Sequence, residues 1–262
     1  MANLSIRFYS DVLKRDVSFL MQIPNDIRCD YPRNDLKRDD KPMKTLFLLH
    51  GYTGAAENWL PGNLAEQYNF AVVIPSGENS FWIDGLATGR QFATFLGVEL
   101  LEYVRKTFHL AMSADDTYVM GFSMGGFGAL HTAFAFPDKF GKAIALSSAL
   151  IHNEVAKMKE GEGNEVANYE YYRYCFGEPS KLPESENNPE YLLKKLKASG
   201  TKIPEIFMAC GTEDFLLEPN RAFHKFLEEQ GVKHTYKEGP GIHDMKFWQE
   251  WAGNFIPEAF AD

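Results

Sequence analysis

The sequence predicts an α/β fold with a mostly parallel central sheet and helices on both faces. Two observations carry that expectation. Short, continuous apolar runs ended by glycine or serine recur along the chain: "TLFLLHG" (45–51), "NFAVVIPSG" (69–77), "TYVMGFS" (117–123), "KAIALSS" (142–148) and "PEIFMACG" (204–211). Runs of this length without polar alternation suit strands buried on both faces. Between them lie longer segments with apolar residues at every third or fourth position, the helical period. Strands and helices in alternation point to parallel strands joined by helical crossovers, and residues 1–262 read as a single domain.

Taken in order, the first element is "RDVSFLMQIP", where Val17, Phe19 and Met21 alternate with Ser18, Leu20 and Gln22 as in a hairpin strand. "NDIRCDYPRNDLKRDDKPMK" follows, polar and charged, and reads as a solvated connection. In "GRQFATFLGVELLEYVRKTF" (89–108), Phe92, Phe95, Val98, Leu101, Val104 and Phe108 mark one face of an amphipathic helix. "MGGFGALHTAFAFP" (124–137) reads as a helix stopped by Pro137. Residues 149–200 break the rhythm, being too long for a simple crossover, and carry the aromatic cluster Tyr169, Tyr171, Tyr172, Tyr174 and Phe176. Such aromatics argue against disorder. The segment reads as a cap-like insertion over the carboxyl edge of the sheet, where sites of open α/β sheets form. "EPNRAFHKFLEEQG" (218–231) has a proline in its first turn and a glycine past its end, the helical preference. "KHTYKEG" is strand-like, and "DMKFWQEWAGNFI" (244–256) is the last helix.

Composition narrows the classes of function. The net charge of −9 disfavours nucleic acid and anionic membrane surfaces, both of which select basic faces. The longest apolar runs, about six residues, fall far short of the roughly 20 needed to span a bilayer. Cys29, Cys175 and Cys210 are odd in number and widely spaced, so neither a disulfide framework nor a metal site is expected, and Cys210 reads as a buried small hydrophobe. The stretch "MANLSIRFYSDVLKRDVSF" lacks the basic and apolar regions of a signal peptide. A cytoplasmic chain is the expectation, with a leader removed before Met1 as the alternative.

"GFSMGG" (121–126) holds a G-x-S-x-G pattern directly after a strand and directly before a helix, the context of a nucleophile elbow. Gly121 and Gly125 leave room where the chain turns, Ser123 occupies the apex, and the free N–H groups of the helix starting at Met124 face any anion formed beside it. A serine hydroxyl needs a base, and the base an orienting carboxylate. With the chain order Ser, acid, His, the base falls on His243, on the glycine-rich loop "GPGIHD" before the last helix. His224 lies inside a helix and His234 in a strand. The acid follows "PEIFMACG"; of Glu213 and Asp214, the second precedes the apolar pair Phe215-Leu216 and is expected against the sheet edge, with Glu213 turned to solvent. For the tetrahedral oxyanion, one N–H is expected from Met124 and the other from "HGYTG", with Tyr52 preferred and Thr53 the fallback. His50, ending a buried strand, reads as a structural hydrogen-bonding residue.

Together "LLHGYTGAAENW", "YVMGFSMGGFGAL", "ACGTEDFLLEPNRAF" and "GIHDMKFWQEW" resemble the esterase D / tributyrin esterase branch of the α/β-hydrolases, a group similar to S-formylglutathione hydrolases, feruloyl and acetylxylan esterases and mycolyltransferases. The resemblance runs nearly end to end. It implies an α/β-hydrolase fold and a cofactor-free serine carboxylesterase with nucleophile Ser123, acid Asp214, base His243 and oxyanion donors Tyr52 and Met124. It also implies short acyl chains, acetyl to butyryl. The aromatic insertion is compatible with an acetylated or feruloylated oligosaccharide, and a glutathione thioesterase or an acyltransferase would use the same triad. Phe81 and Trp82, on the loop "SGENSFWIDG", and Tyr172 of the insertion are candidate pocket walls, and Asp84 reads as a solvent-facing acid or a partner for a substrate hydroxyl. The expected partner is a small ester, without nucleic acid, membrane or metal; self-association into a homo-oligomer is compatible with the chain.

Overall fold

The computed structural model describes residues 1–24 and 42–261. Most of the charged stretch after the first hairpin, with Cys29, lies outside the described residues. Among the described residues, eight strands form one sheet in the order β1-β2-β4-β3-β5-β6-β7-β8. In chain order they are β1 (Ala2–Ser10), β2 (Arg15–Ile23), β3 (Lys44–Leu49), β4 (Phe70–Pro75), β5 (Thr117–Phe122), β6 (Lys142–Leu146), β7 (Glu205–Gly211) and β8 (Thr235–Gly239). β1 and β2 pair antiparallel, as do β2 and β4, and every later pairing is parallel.

The predicted strands are all present, and one more precedes them. In β1, residues alternate between half-buried and exposed, with Leu4, Ile6 and Phe8 turned toward the core. That alternation was readable in "NLSIRFY" by the same rule that identified β2. Register fixes the hairpin from Ala2 opposite Ile23 to Ser10 opposite Arg15.

The helices are α1 (Leu64–Gln67), α2 (Phe92–Thr94), α3 (Leu101–Phe108), α4 (Met124–Ala135), α5 (His152–Val155), α6 (Tyr169–Phe176), α7 (Pro189–Ser199), α8 (Leu217–Glu229) and α9 (Met245–Ala259). A π-helical segment, Phe95–Leu100, joins α2 to α3, so the amphipathic run is one helix with a widened turn. Two apolar layers flank the sheet. Phe47, Leu49, Val73, Val119 and Ala145 point toward the layer with Phe92, Leu101, Phe127, Leu193 and Phe223, while Leu46, Leu48, Val72, Tyr118 and Met120 face Phe247, Ala252, Phe255 and Ile256 of α9. Successive side chains alternate faces, which is why these strands are apolar throughout.

Residues 149–200 are ordered and mostly helical. Leu192 and Leu193 of α7 join the main core, so the last part of this region acts as a crossover helix rather than as cover. α9 runs through Pro257, past the expected end at 256, and among the described residues no helix is long and apolar enough to cross a membrane.

Candidate active site

β5, β7 and β8 end at Phe122, Gly211 and Gly239 on one edge of the sheet, and the three residues in question sit just beyond them. Ser123 has φ 54° and ψ −122°, a conformation that L-residues seldom adopt and that costs about 1–3 kcal/mol. Its surroundings impose it. A Cβ on Gly121 would come within 2.2 Å of the Gly125 carbonyl oxygen, and one on Gly125 within 2.5 Å of the Leu49 carbonyl. Ser123 N–H donates to Leu146 O at 2.9 Å, and its own carbonyl accepts from Phe127 N at 3.1 Å and Ala149 N at 3.0 Å. The backbone is fully bonded while the side chain stands clear of the sheet.

His243 Nε2 lies 3.0 Å from Ser123 Oγ, and its Nδ1 lies 3.0 and 2.9 Å from the two carboxylate oxygens of Asp214. A carboxylate only accepts, so Nδ1–H donates to Asp214 and Nε2 is left to accept the serine proton. The Asp214 side chain is fully buried. Burial opposes its charge, but hydrogen bonds from His243 and the Leu216 N–H (2.8 Å) outweigh burial and hold the carboxyl below its ordinary range.

Glu213 is exposed as expected, yet its carboxylate is engaged. Gly241 N–H donates to Oε2 at 2.8 Å, Glu213 N–H donates back to Gly241 O at 3.0 Å, and Thr212 N–H donates to Gly239 O at 2.9 Å. These bonds clamp the acid loop to the histidine loop. The imidazole is flanked by two rings, Trp248 edge-on at 4.9 Å and Phe215 tilted at 4.5 Å. Trp248 stacks in turn on Phe122 at 4.1 Å. Asp244 caps α9 by accepting Phe247 N–H at 2.9 Å.

The loop after β3 runs beside the elbow: a Cβ on Gly51 would lie 3.4 Å from Ser123 Cβ. Thr53 N–H is taken by Asn79 Oδ1 at 2.8 Å, which removes it as an oxyanion donor. The N–H groups of Tyr52 and Met124 have no hydrogen-bond partner among the described residues. His50 is buried, donates from Nδ1 to Gly51 O at 2.8 Å and accepts Gly77 N–H at Nε2 at 2.9 Å. Burial lowers its pKa against the Gly51 bond, so it stays neutral and braces the loop.

The three expected pocket walls are corrected. Trp82 is fully buried, donates Nε1–H to His50 O at 3.2 Å and leaves no face for a ligand. Phe81 is equally buried, packed on Phe127 and Phe176 at 5.7 and 4.7 Å. Both have positive φ (55° and 59°), so the loop turns inward and drives the two rings into the core. Tyr172 is buried too, with its hydroxyl on Asn164 Oδ1 at 3.0 Å. Asp84 accepts from Thr94 N and Oγ1 at 3.0 and 2.6 Å, at the last residue of α2. The neighbour that does reach the site is Tyr171: its hydroxyl donates to Asn79 O at 2.7 Å and its ring meets Tyr52 at 5.8 Å.

Burial pushes the Cys210 thiol up to about 12 and also raises Cys175, so neither offers a competing thiolate. Among the described residues no group of three or more His, Cys, Asp or Glu side chains could hold a metal ion.

Residues 10–259 match the model of the Esterase family. The chain is 39% identical to an acetyl esterase of Caldicellulosiruptor saccharolyticus over 258 residues, 97% of this chain and 96% of that protein. Two solved structures from Staphylococcus aureus are similar at 27% identity. The substrate-bound fluorophosphonate-binding serine hydrolase F (FphF) has a TM-score of 0.83, covering 100% of this chain and 99% of the other. S-formylglutathione hydrolase (FrmB), as the apoenzyme, has a TM-score of 0.80, covering 99% and 98%. The chain belongs to the Esterase family, with an α/β-hydrolase fold, and is a carboxylic ester hydrolase.

Proposed function

We propose that this enzyme is a serine carboxylesterase that cleaves short-chain acyl esters, acetyl esters first, through an acyl-enzyme on Ser123. The observation that carries the reading is the unbroken relay from Asp214 through His243 to Ser123 Oγ, at 2.9 and 3.0 Å. His243 Nε2 accepts the Ser123 proton as Oγ attacks the ester carbonyl, and the N–H groups of Tyr52 and Met124 hold the oxyanion. The tetrahedral intermediate collapses with the C–O bond breaking, and His243 returns the proton to the departing alcohol. A water then gives a proton to Nε2 as its oxygen adds to the acyl carbon; the bond from Oγ to that carbon breaks, His243 returns the proton to Oγ, and the acid leaves. Asp214 keeps the imidazole in the tautomer that both halves require. The similarity to an acetyl esterase supports the acyl preference, and the bond from the Tyr171 hydroxyl to Asn79 O supports reading part of the 149–200 insertion as cover for the site.

Ser123→Ala is expected to abolish p-nitrophenyl acetate hydrolysis while leaving the melting temperature near that of wild type, and substantial residual turnover would overturn the assignment. Likeness to an S-formylglutathione hydrolase favours thioester hydrolysis as a second reading. A panel of acetyl to octanoyl p-nitrophenyl esters beside S-formylglutathione ranks the two.

A further inference from the structure

Phe215 is the most exposed large apolar side chain among the described residues, with 71% of its surface open to solvent. It follows the acid directly in sequence, and its ring lies 4.5 Å from the His243 ring, tilted by 48°. Trp248, the other ring on the imidazole, is buried and supports it from within the protein. Phe215 adds little to that support, because most of its surface touches nothing. Covering that ring with an apolar group takes it out of water and is favourable.

Chemistry says what passes beside this ring. In the mechanism proposed above, Nε2 of His243 must hand its proton to the departing oxygen, so the alcohol half of the ester lies within hydrogen-bond reach of that nitrogen. The carbonyl oxygen points to the N–H groups that take the oxyanion, and the acyl chain leaves the carbonyl carbon in a third direction, away from the leaving oxygen. A group attached to the leaving oxygen therefore extends over the neighbourhood of His243, where Phe215 stands open. The flanking segments 211–216 and 239–244 contain Glu213 and Asp244 besides the triad residues and no lysine or arginine, so the surroundings disfavour a negatively charged alcohol.

We infer that Phe215 forms the leaving-group subsite of this esterase and selects neutral alcohols with a flat apolar face. This inference rests on the serine-esterase reading. Ring-on-ring contact supplies the selectivity, because the exposed face of Phe215 is desolvated only when such an alcohol is bound.

The test holds the acyl group constant and varies the alcohol. 2-Naphthol and phenol are of similar acidity, so their acetates differ chiefly in the ring available to Phe215. Wild type is expected to favour 2-naphthyl acetate over phenyl acetate in kcat/KM. Phe215→Ala should cut that preference about tenfold, mainly through KM, and Phe215→Tyr should retain it. The ratio of 2-naphthyl acetate to 2-naphthyl butyrate should stay within about twofold of wild type, since Phe215 lies away from the acyl group. Equal losses on both alcohols, or a change in the acyl ratio instead, would show that the ring merely steadies His243 and would overturn the inference. Labelling with a fluorophosphonate separates this failure from a deeper one. If Ser123 is labelled in Phe215→Ala while the naphthyl preference is unmoved, the leaving-group subsite is wrong and the esterase mechanism stands. If wild-type Ser123 is not labelled, both fall.

Discussion

In Asp214 the two carboxylate oxygens have different duties. Oδ1 accepts the Leu216 N–H at 2.8 Å as well as facing His243 at 3.0 Å, whereas Oδ2 faces His243 at 2.9 Å, with the Ser147 hydroxyl also beside the carboxylate. Asp214→Asn keeps its carbonyl oxygen on the Leu216 N–H and so turns its NH2 toward Nδ1. That forces the imidazole proton onto Nε2, the wrong tautomer for accepting from Ser123. A fall in kcat on the order of 10⁴-fold is expected, with KM little changed. Stability carries a second signature. The folded-state carboxyl is held below its ordinary range, so its charge stabilises the fold above the unfolded value near 3.9, and that contribution is lost as pH falls through the lower folded value. Denaturant unfolding of wild type should lose ground to Asp214→Asn between about pH 5 and pH 2, and parallel curves would show that no such shift exists. Asp214 was legible from the tight turn that directly follows β7, although of its two apolar successors only Leu216 packs inward while Phe215 stands open. The role of Glu213 was not, because its use depends on Gly241, 28 residues away, docking onto its carboxylate.

The elbow is an element whose glycines are required by backbone and not by flexibility. Gly121→Ala would push a methyl to 2.2 Å from the Gly125 carbonyl, which neither strand nor helix can yield without moving Ser123. Destabilisation of about 2–3 kcal/mol or more is expected, with activity lost beyond what the unfolded fraction explains. Gly253 is the control: it lies inside α9, nothing stands within 4 Å of its would-be Cβ, and Gly253→Ala should stabilise by about 0.5–1 kcal/mol. Thermal melts of the two variants should move in opposite directions. Elements of this kind are legible because local rules generate them: "GFSMGG" between an apolar run and a helix points to a sharp turn, and "GTEDFL", "GIHDMKFW" and "LLHGYTG" point the turn toward a site. The misplacement of Phe81 and Trp82 has the opposite origin. A loop after a strand is the right address for a binding site, but consecutive positive φ values decided which way the rings point, and residue types alone do not reveal that.

Across the molecule, Asn79 ties together three segments that are remote in sequence. Its side chain holds Thr53 N–H in the loop after β3, its carbonyl accepts the Tyr171 hydroxyl from α6, and the Tyr171 ring rests on Tyr52. The peptide N–H proposed to bind the oxyanion thus sits next to one that is anchored from a different part of the fold. Burial raises the Tyr171 phenol well above its ordinary range, so the hydroxyl keeps its proton and the Asn79 bond persists across the working pH. Asn79→Ala removes the acceptor of Thr53 N–H and lets the Tyr52 peptide swing, while the triad keeps its own bonds. The expected result is a loss in kcat of about 10- to 100-fold with KM within about twofold, since a misaimed donor weakens the transition state more than the bound ester. The melting temperature should fall by only about 2–4 °C, the equivalent of one hydrogen bond in a chain of this size. Tyr171→Phe leaves the bond between Asn79 and Thr53 intact and should cost less in kcat than Asn79→Ala. A rise in KM at constant kcat would instead make Asn79 a binding residue and separate the loop after β3 from α6.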